Sequence, residues 1–150
     1  MRKLLVIDDN LGFLGFLTSA LEKYFEVYTA TGVKDALRLL EHQKVEAICS
    51  DYNMRDGTGL DLLEEIRQKG ITVPFLLMSG DDDFLIEQQT KFYGGVFCCK
   101  TDCDFIAKVK ALVNPNLKHN IFIICRTMAK EKKPSCSRLI DTPILLFRRL

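Results

Sequence analysis

The sequence predicts an α/β protein, a doubly wound parallel sheet of five strands alternating with five helices. Three observations predict it. Short, nearly continuous apolar runs recur along the chain, such as Leu4-Leu5-Val6-Ile7 and Phe75-Leu76-Leu77-Met78, and they suit strands buried on both faces. Between them lie stretches whose apolar residues recur at steps of three and four, as in helices with one buried face. Four of the runs stop on a polar residue: Asp8, Asp51, Ser79 and Lys100.

The first strand is read over residues 3–7, with Asp8 and Asp9 at its end. The helix that follows is set by Leu14, Leu17, Leu21 and Phe25. A second strand covers residues 27–30. Thr31 is placed to cap a second helix, with Val33, Ala36, Leu37 and Leu40 turned inward. The third strand, residues 45–51, ends on Asp51, and a polar, glycine-rich loop follows it from Asn53 to Gly59. Thr58 and Asp61 form a capping pair for a third helix bearing Leu60, Leu63 and Ile66, which Gly70 ends. Pro74 opens the fourth strand, where proline is tolerated, and Ser79 closes it. Asp81, Asp82 and Asp83 suit the start of a fourth helix, which is polar over Glu87-Gln88-Gln89-Thr90-Lys91. The fifth strand, residues 95–99, ends at Lys100. Thr101 and Asp104 are placed to cap a last helix with Phe105, Val109 and Leu112 on one side.

Composition bounds the class. The chain has 150 residues and 47% hydrophobic content, enough for one domain with a real core. Net charge is +1 but unevenly spread. Residues 1–113 hold 13 Lys and Arg against 18 Asp and Glu, a net of −5. Residues 114–150 hold 8 against 2, a net of +6. The expected division is therefore a domain over 1–113 and a short basic extension over 114–150, with no domain of its own. Arg2 and Lys3 precede too short an apolar run for a secretory signal, and no apolar stretch reaches the roughly 20 residues of a spanning helix. A cytoplasmic location with no membrane contact is expected. The six cysteines lack paired metal-ligand spacing, and the adjacent Cys98 and Cys99 are read as packing residues facing opposite sides of a strand.

Crossover connections bring all carboxyl ends of a parallel sheet to one edge, where ligands bind. Asp8, Asp9, Asp51, Ser79 and Lys100 would meet there. Clustered carboxylates repel one another, so one would protonate or a cation would bind, and hard oxygen donors beside a phosphate suit Mg2+. Lys100 supplies a positive charge for an incoming oxyanion and Ser79 a hydroxyl. A carboxylate can act as nucleophile toward phosphorus, in a transfer that needs mainly positioning and charge neutralisation.

Residues 1–113 resemble the receiver domain of two-component response regulators. The resemblance rests on Asp8-Asp9 after the first strand and Asp51 after the third. Pro74-Phe75-Leu76-Leu77-Met78-Ser79, Phe97-Cys98-Cys99-Lys100, and Met54 and Gly59 in the loop complete it. It implies a flavodoxin-like sheet of strand order 2-1-3-4-5. It implies that Asp51 is the phosphoacceptor for a histidine kinase or phosphotransfer protein, in a signalling module rather than a turnover enzyme. Asp9 and Asp51 would ligate Mg2+, with Asp8 acting through water and Asn53 through its backbone carbonyl. Ser79 would be the switch hydroxyl, Phe97 the switch aromatic, and Lys100 the partner of the phosphoryl oxygens. A downstream protein would dock on the fourth helix, fifth strand and fifth helix, and homodimers through that face are compatible with the family. Three positions depart from the family pattern: Arg55 and Thr101 stand where proline is usual, and Tyr93-Gly94 replaces a common Gly-Ala pair.

Two rival readings compete. A DNA-binding transcriptional regulator could act through the basic 114–150 segment, which makes nucleic acid the less favoured partner. A phosphatase of the haloacid dehalogenase type would need a second Asp two residues after its nucleophile, and Asn53 stands there. His119, Cys125 and Cys136 are too scattered to argue for zinc.

Overall fold

The computed structural model describes residues 1–114. The expectations about the basic extension, its contact with nucleic acid, and His119, Cys125 and Cys136 lie outside the described residues. Along the chain run β1 (Arg2–Ile7), α1 (Leu11–Leu21), β2 (Phe25–Ala30), α2 (Val33–His42), β3 (Ala47–Asp51), β4 (Asn53–Met54), β5 (Gly57–Thr58), α3 (Gly59–Gln68), β6 (Phe75–Ser79), α4 (Phe84–Phe92), β7 (Val96–Cys99) and α5 (Phe105–Val113). The main sheet is parallel, in the order β2-β1-β3-β6-β7. Counted without the two-residue β4–β5 ladder, this is the expected order 2-1-3-4-5.

The continuous apolar runs are explained by helices on both faces. Side chains alternate along a strand. Leu4, Val6, Cys49, Leu76, Met78 and Cys98 pack with Leu14, Leu17 and Leu21 of α1 and with Phe105, Val109 and Leu112 of α5. Their neighbours Leu5, Ile7, Ile48, Phe75 and Leu77 pack with Ala36 of α2 and Leu62, Leu63 and Ile66 of α3. Leu4, Leu5, Leu76 and Leu77 are fully buried, each worth about 2 kcal/mol of transfer free energy. The two cysteines divide as expected, with Cys98 buried and Cys99 half-buried.

Several local readings change. Phe25 does not belong to the face of α1. That helix stops at Leu21, and Phe25 opens β2 opposite Arg2, where it is buried. Thr31 does not cap α2. Gly32 occupies the cap, and the Asp56 carboxylate accepts instead from the N–H groups of Val33 (2.9 Å) and Lys34 (2.9 Å). Asp104 precedes α5 without capping it through its side chain, which pairs with Lys108 at 3.3 Å. Leu62, not singled out above, is fully buried, whereas Leu60 is only partly so. The Thr58–Asp61 capping box is present in both directions, Asp61 N–H to Thr58 Oγ1 at 3.0 Å and Thr58 N–H to Asp61 Oδ2 at 2.9 Å.

Candidate functional site

Four parallel strands deliver their ends to one edge. The register sets Ile7 beside Ser50, Asp51 beside Met78 and Ser79 beside Cys99. Backbone hydrogen bonds extend the sheet one step further, from Tyr52 N–H to Met78 O (2.7 Å) and from Lys100 N–H to Ser79 O (2.8 Å). Asp8, Asp51, Ser79 and Lys100 therefore stand at the ends of neighbouring strands, Asp8 and Asp51 on one rung, Ser79 one rung further and Lys100 two.

Their side chains converge. Asp8, Asp9 and Asp51 each offer a carboxylate oxygen, all within 4.8 Å of one another. Lys100 Nζ bridges Asp8 Oδ2 at 2.7 Å and Asp51 Oδ1 at 2.9 Å. Asp8 is fully buried, Asp51 nearly so, and Asp9 half-buried. Burial pushes the Asp51 carboxyl above the usual aspartate value, and the hydrogen bond and charge of Lys100 pull the other way without cancelling it. Burial likewise pulls Lys100 down, yet its hydrogen bonds to Asp8 and Asp51 leave it above the usual lysine value. Lys100 is fully engaged, but a single ammonium is shared between two carboxylates and under-compensates Asp51. Three carboxyl groups thus crowd around a single ammonium, an oxygen-donor set that fits a hard divalent cation.

The surroundings hold the site in shape. Asn10 N–H donates to Asp8 Oδ1 at 2.9 Å, and Asn10 Oδ1 in turn accepts from Phe13 N–H at 3.0 Å, capping α1. Gly59 packs so closely that an added Cβ would overlap the Asp51 carbonyl oxygen and lie 2.6 Å from Leu77 Cδ1. That close approach explains a glycine where the loop after Asp51 turns into α3. Arg55, exposed at 89%, places Nε 3.8 Å from Asp9 Oδ2.

The remaining expected residues sit around this centre. Ser79 is buried, and its Oγ accepts from the Asp81 N–H at 3.3 Å. Phe97 is half-buried and packs against the layer that holds Leu77 and Leu63. Asn53 pairs with Thr58 across the small ladder and is exposed. Asn10 could have been found in the sequence, as an Asn directly before a helical pattern. Asp56 and Phe13 carried no such signal, because the partners that matter for each lie far along the chain.

Comparison with known proteins settles the family. A family model described as the response regulator receiver domain matches residues 4–94. The chain belongs to this family. Among curated proteins, the receiver is 28% identical over 82 residues to the transcriptional regulatory protein CiaR of Streptococcus pneumoniae, covering 55% of this chain and 37% of that one. It thus spans about a third of that relative's length. Among solved structures it resembles the receiver domain of the Francisella response regulator 1452 (TM-score 0.71, 24% identity, 75% of this chain and 97% of that one). It also resembles response regulator TrrA from Thermotoga maritima in complex with Mg(2+)-BeF (TM-score 0.65, 24% identity, 75% and 99%). Among the described residues no helix is long and apolar enough to cross a membrane.

Proposed function

We propose that this receiver accepts a phosphoryl group on Asp51 from a histidine kinase or phosphotransfer protein in the cytoplasm, with Mg2+ bound at the same strand ends. The observation that carries the reading is the Lys100 ammonium lying on both Asp8 and Asp51 inside the acidic cluster. The Mg2+ complex of TrrA supports the choice of metal. Asp9 and Asp51 would hold the ion directly, Asp8 through water, and Asn53 through its backbone carbonyl. Bound there, Mg2+ would supply neutralisation of charge on the phosphoryl oxygens.

The chain's own groups do the rest. An Asp51 carboxylate oxygen attacks the phosphorus of the phosphohistidine. A P–O bond forms and the P–N bond breaks. Its electron pair stays on the imidazole, which takes up a proton. Lys100 leaves its carboxylates for a phosphoryl oxygen. The Ser79 hydroxyl gives up the Asp81 N–H and donates to a second oxygen. Phe97 follows Ser79 inward, which reshapes the face formed by α4, β7 and α5 for a downstream protein or a second receiver. The module is a switch, and any hydrolysis is of its own aspartyl phosphate.

Intact mass after incubation with Mg2+ and acetyl phosphate tests this. One added phosphoryl group is expected, absent from Asp51→Asn and absent when the Mg2+ is chelated. No addition to a folded, Mg2+-bound wild type would sink the reading. The name of CiaR favours a second output, transcriptional control through the basic segment. It requires salt-sensitive DNA binding that disappears when residues 114–150 are deleted.

A further inference from the structure

We infer that Phe13 is a positioning residue for Lys100, holding its ammonium by an aromatic face so that it is seated for the phosphoryl group. The inference rests on the phosphoacceptor reading above and adds to it. Lys100 Nζ lies 4.4 Å from the Phe13 ring centroid, well inside the range of a cation–π contact. The ammonium thus has three partners: two carboxylates and one ring. The carboxylates also bind Mg2+, and on phosphorylation Asp51 changes its charge and shape. The ring alone keeps the same character in every state of the site.

The ring is held where it must be. A closed circuit of contacts runs from Asp8 Oδ1 to Asn10 N–H, from Asn10 Oδ1 to Phe13 N–H, from the Phe13 ring to Lys100 Nζ, and from Lys100 Nζ back to Asp8 Oδ2. Phe13 is partly buried against the α1–α5 layer, and its ring stacks with Phe16, their centroids 6.3 Å apart. Phe16 is 66% exposed. The Phe13 ring thus covers one side of the Lys100 ammonium. A partly desolvated ammonium binds an oxyanion more strongly than a hydrated one. The contact should strengthen binding of a phosphoryl-like anion while leaving the affinity for Mg2+ alone unchanged, because the ring is uncharged and Lys100 keeps its two carboxylates without it.

The test compares wild type, Phe13→Leu, Phe13→Met and Phe13→Tyr by calorimetric titration, first with Mg2+ and then with beryllium fluoride at saturating Mg2+. Leu and Met keep apolar bulk without a ring, and Met covers the case in which the Leu variant does not fold. Tyr keeps the ring. The expected result is a loss of beryllium fluoride affinity of about three- to tenfold in the Leu and Met variants, from the size of such contacts. The Tyr variant should stay within about twofold of wild type, and Mg2+ affinity should hold across the series. Equal beryllium fluoride affinity in all four, equal losses in Tyr and Leu, or parallel losses of Mg2+ affinity would each overturn the role. If wild type itself binds no beryllium fluoride, the phosphoacceptor reading fails and this inference fails with it. If wild type binds and the Leu and Met variants match it, only the inference fails.

Discussion

Asp56 anchors the first turn of α2 from the loop that follows the candidate phosphoacceptor. Its two oxygens take the Val33 and Lys34 N–H groups, which would otherwise be unpaired donors at a helix start. Asp56→Ala should cost about 1 kcal/mol, the usual worth of such a cap, read as a lower urea midpoint at unchanged slope. A change of a few tenths would mean that water replaces it. The Lys34 N–H, foremost, holds the Asp56 carboxyl below the usual aspartate value of 3.8, against the opposing effect of burial and with help from the Val33 N–H. Its contribution is therefore present above that value and is lost as pH falls through the lower folded one. The same carboxylate would collide with a Cβ on Gly32, 2.5 Å from its Oδ1, so the glycine that replaces Thr31 as the cap is fitted to this partner.

At the scale of elements, α3 and α4 lie at opposite extremes. α3 carries a capping box and buries Leu62, Leu63 and Ile66 completely. α4 is well capped, with Asp83 Oδ1 accepting from Leu85 N–H (2.8 Å) and Ile86 N–H (3.2 Å). Yet Thr90 is its single fully buried residue, and Phe84, Leu85 and Phe92 are 69%, 71% and 83% exposed. Local opening is cheapest where few apolar contacts must break. Amide exchange in α4 should therefore outpace that in α3 by at least about tenfold, and equal protection would refute this account. How much could be foreseen follows the same divide. The strand ends were legible because buried apolar runs stop abruptly on Asp8, Asp51, Ser79 and Lys100. The capping box was legible because both partners lie within one turn. The cap on α2 was not, since Asp56 stands 23 residues from Val33. The outward apolar residues of α4 were hidden for a different reason: composition marks the helix as polar but does not say which side meets the sheet.

For the whole molecule, the alkaline limb of stability belongs to the buried thiols. Burial, foremost, pushes the Cys98 thiol up to about 12 and the Cys49 thiol well above its ordinary 9.0. In the unfolded chain both lose protons near that ordinary value, while the folded chain keeps them. The unfolded state then binds fewer protons, so stability is at its full value below about pH 9 and falls as pH rises beyond it. Urea midpoints measured under reducing conditions should drop between about pH 9 and 10.5, and Cys98→Ala, though less stable throughout, should show a shallower drop. A slope unchanged by that substitution would assign the limb to other groups, such as Lys108. The sheet order was foreseeable only through the resemblance, since apolar periodicity counts strands but does not arrange them. The long reach of the bridge between Lys100 and Asp8, 92 residues apart, bears also on how the protein is made. Synthesis delivers Asp8, Asp9 and Asp51 well before Lys100. A chain still short of β7 holds three like charges at the edge of a growing sheet with no ammonium to quiet them. Completion of the last strand and electrical closure of the pocket are the same event, so the acidic edge stays open until the end of the sheet is made.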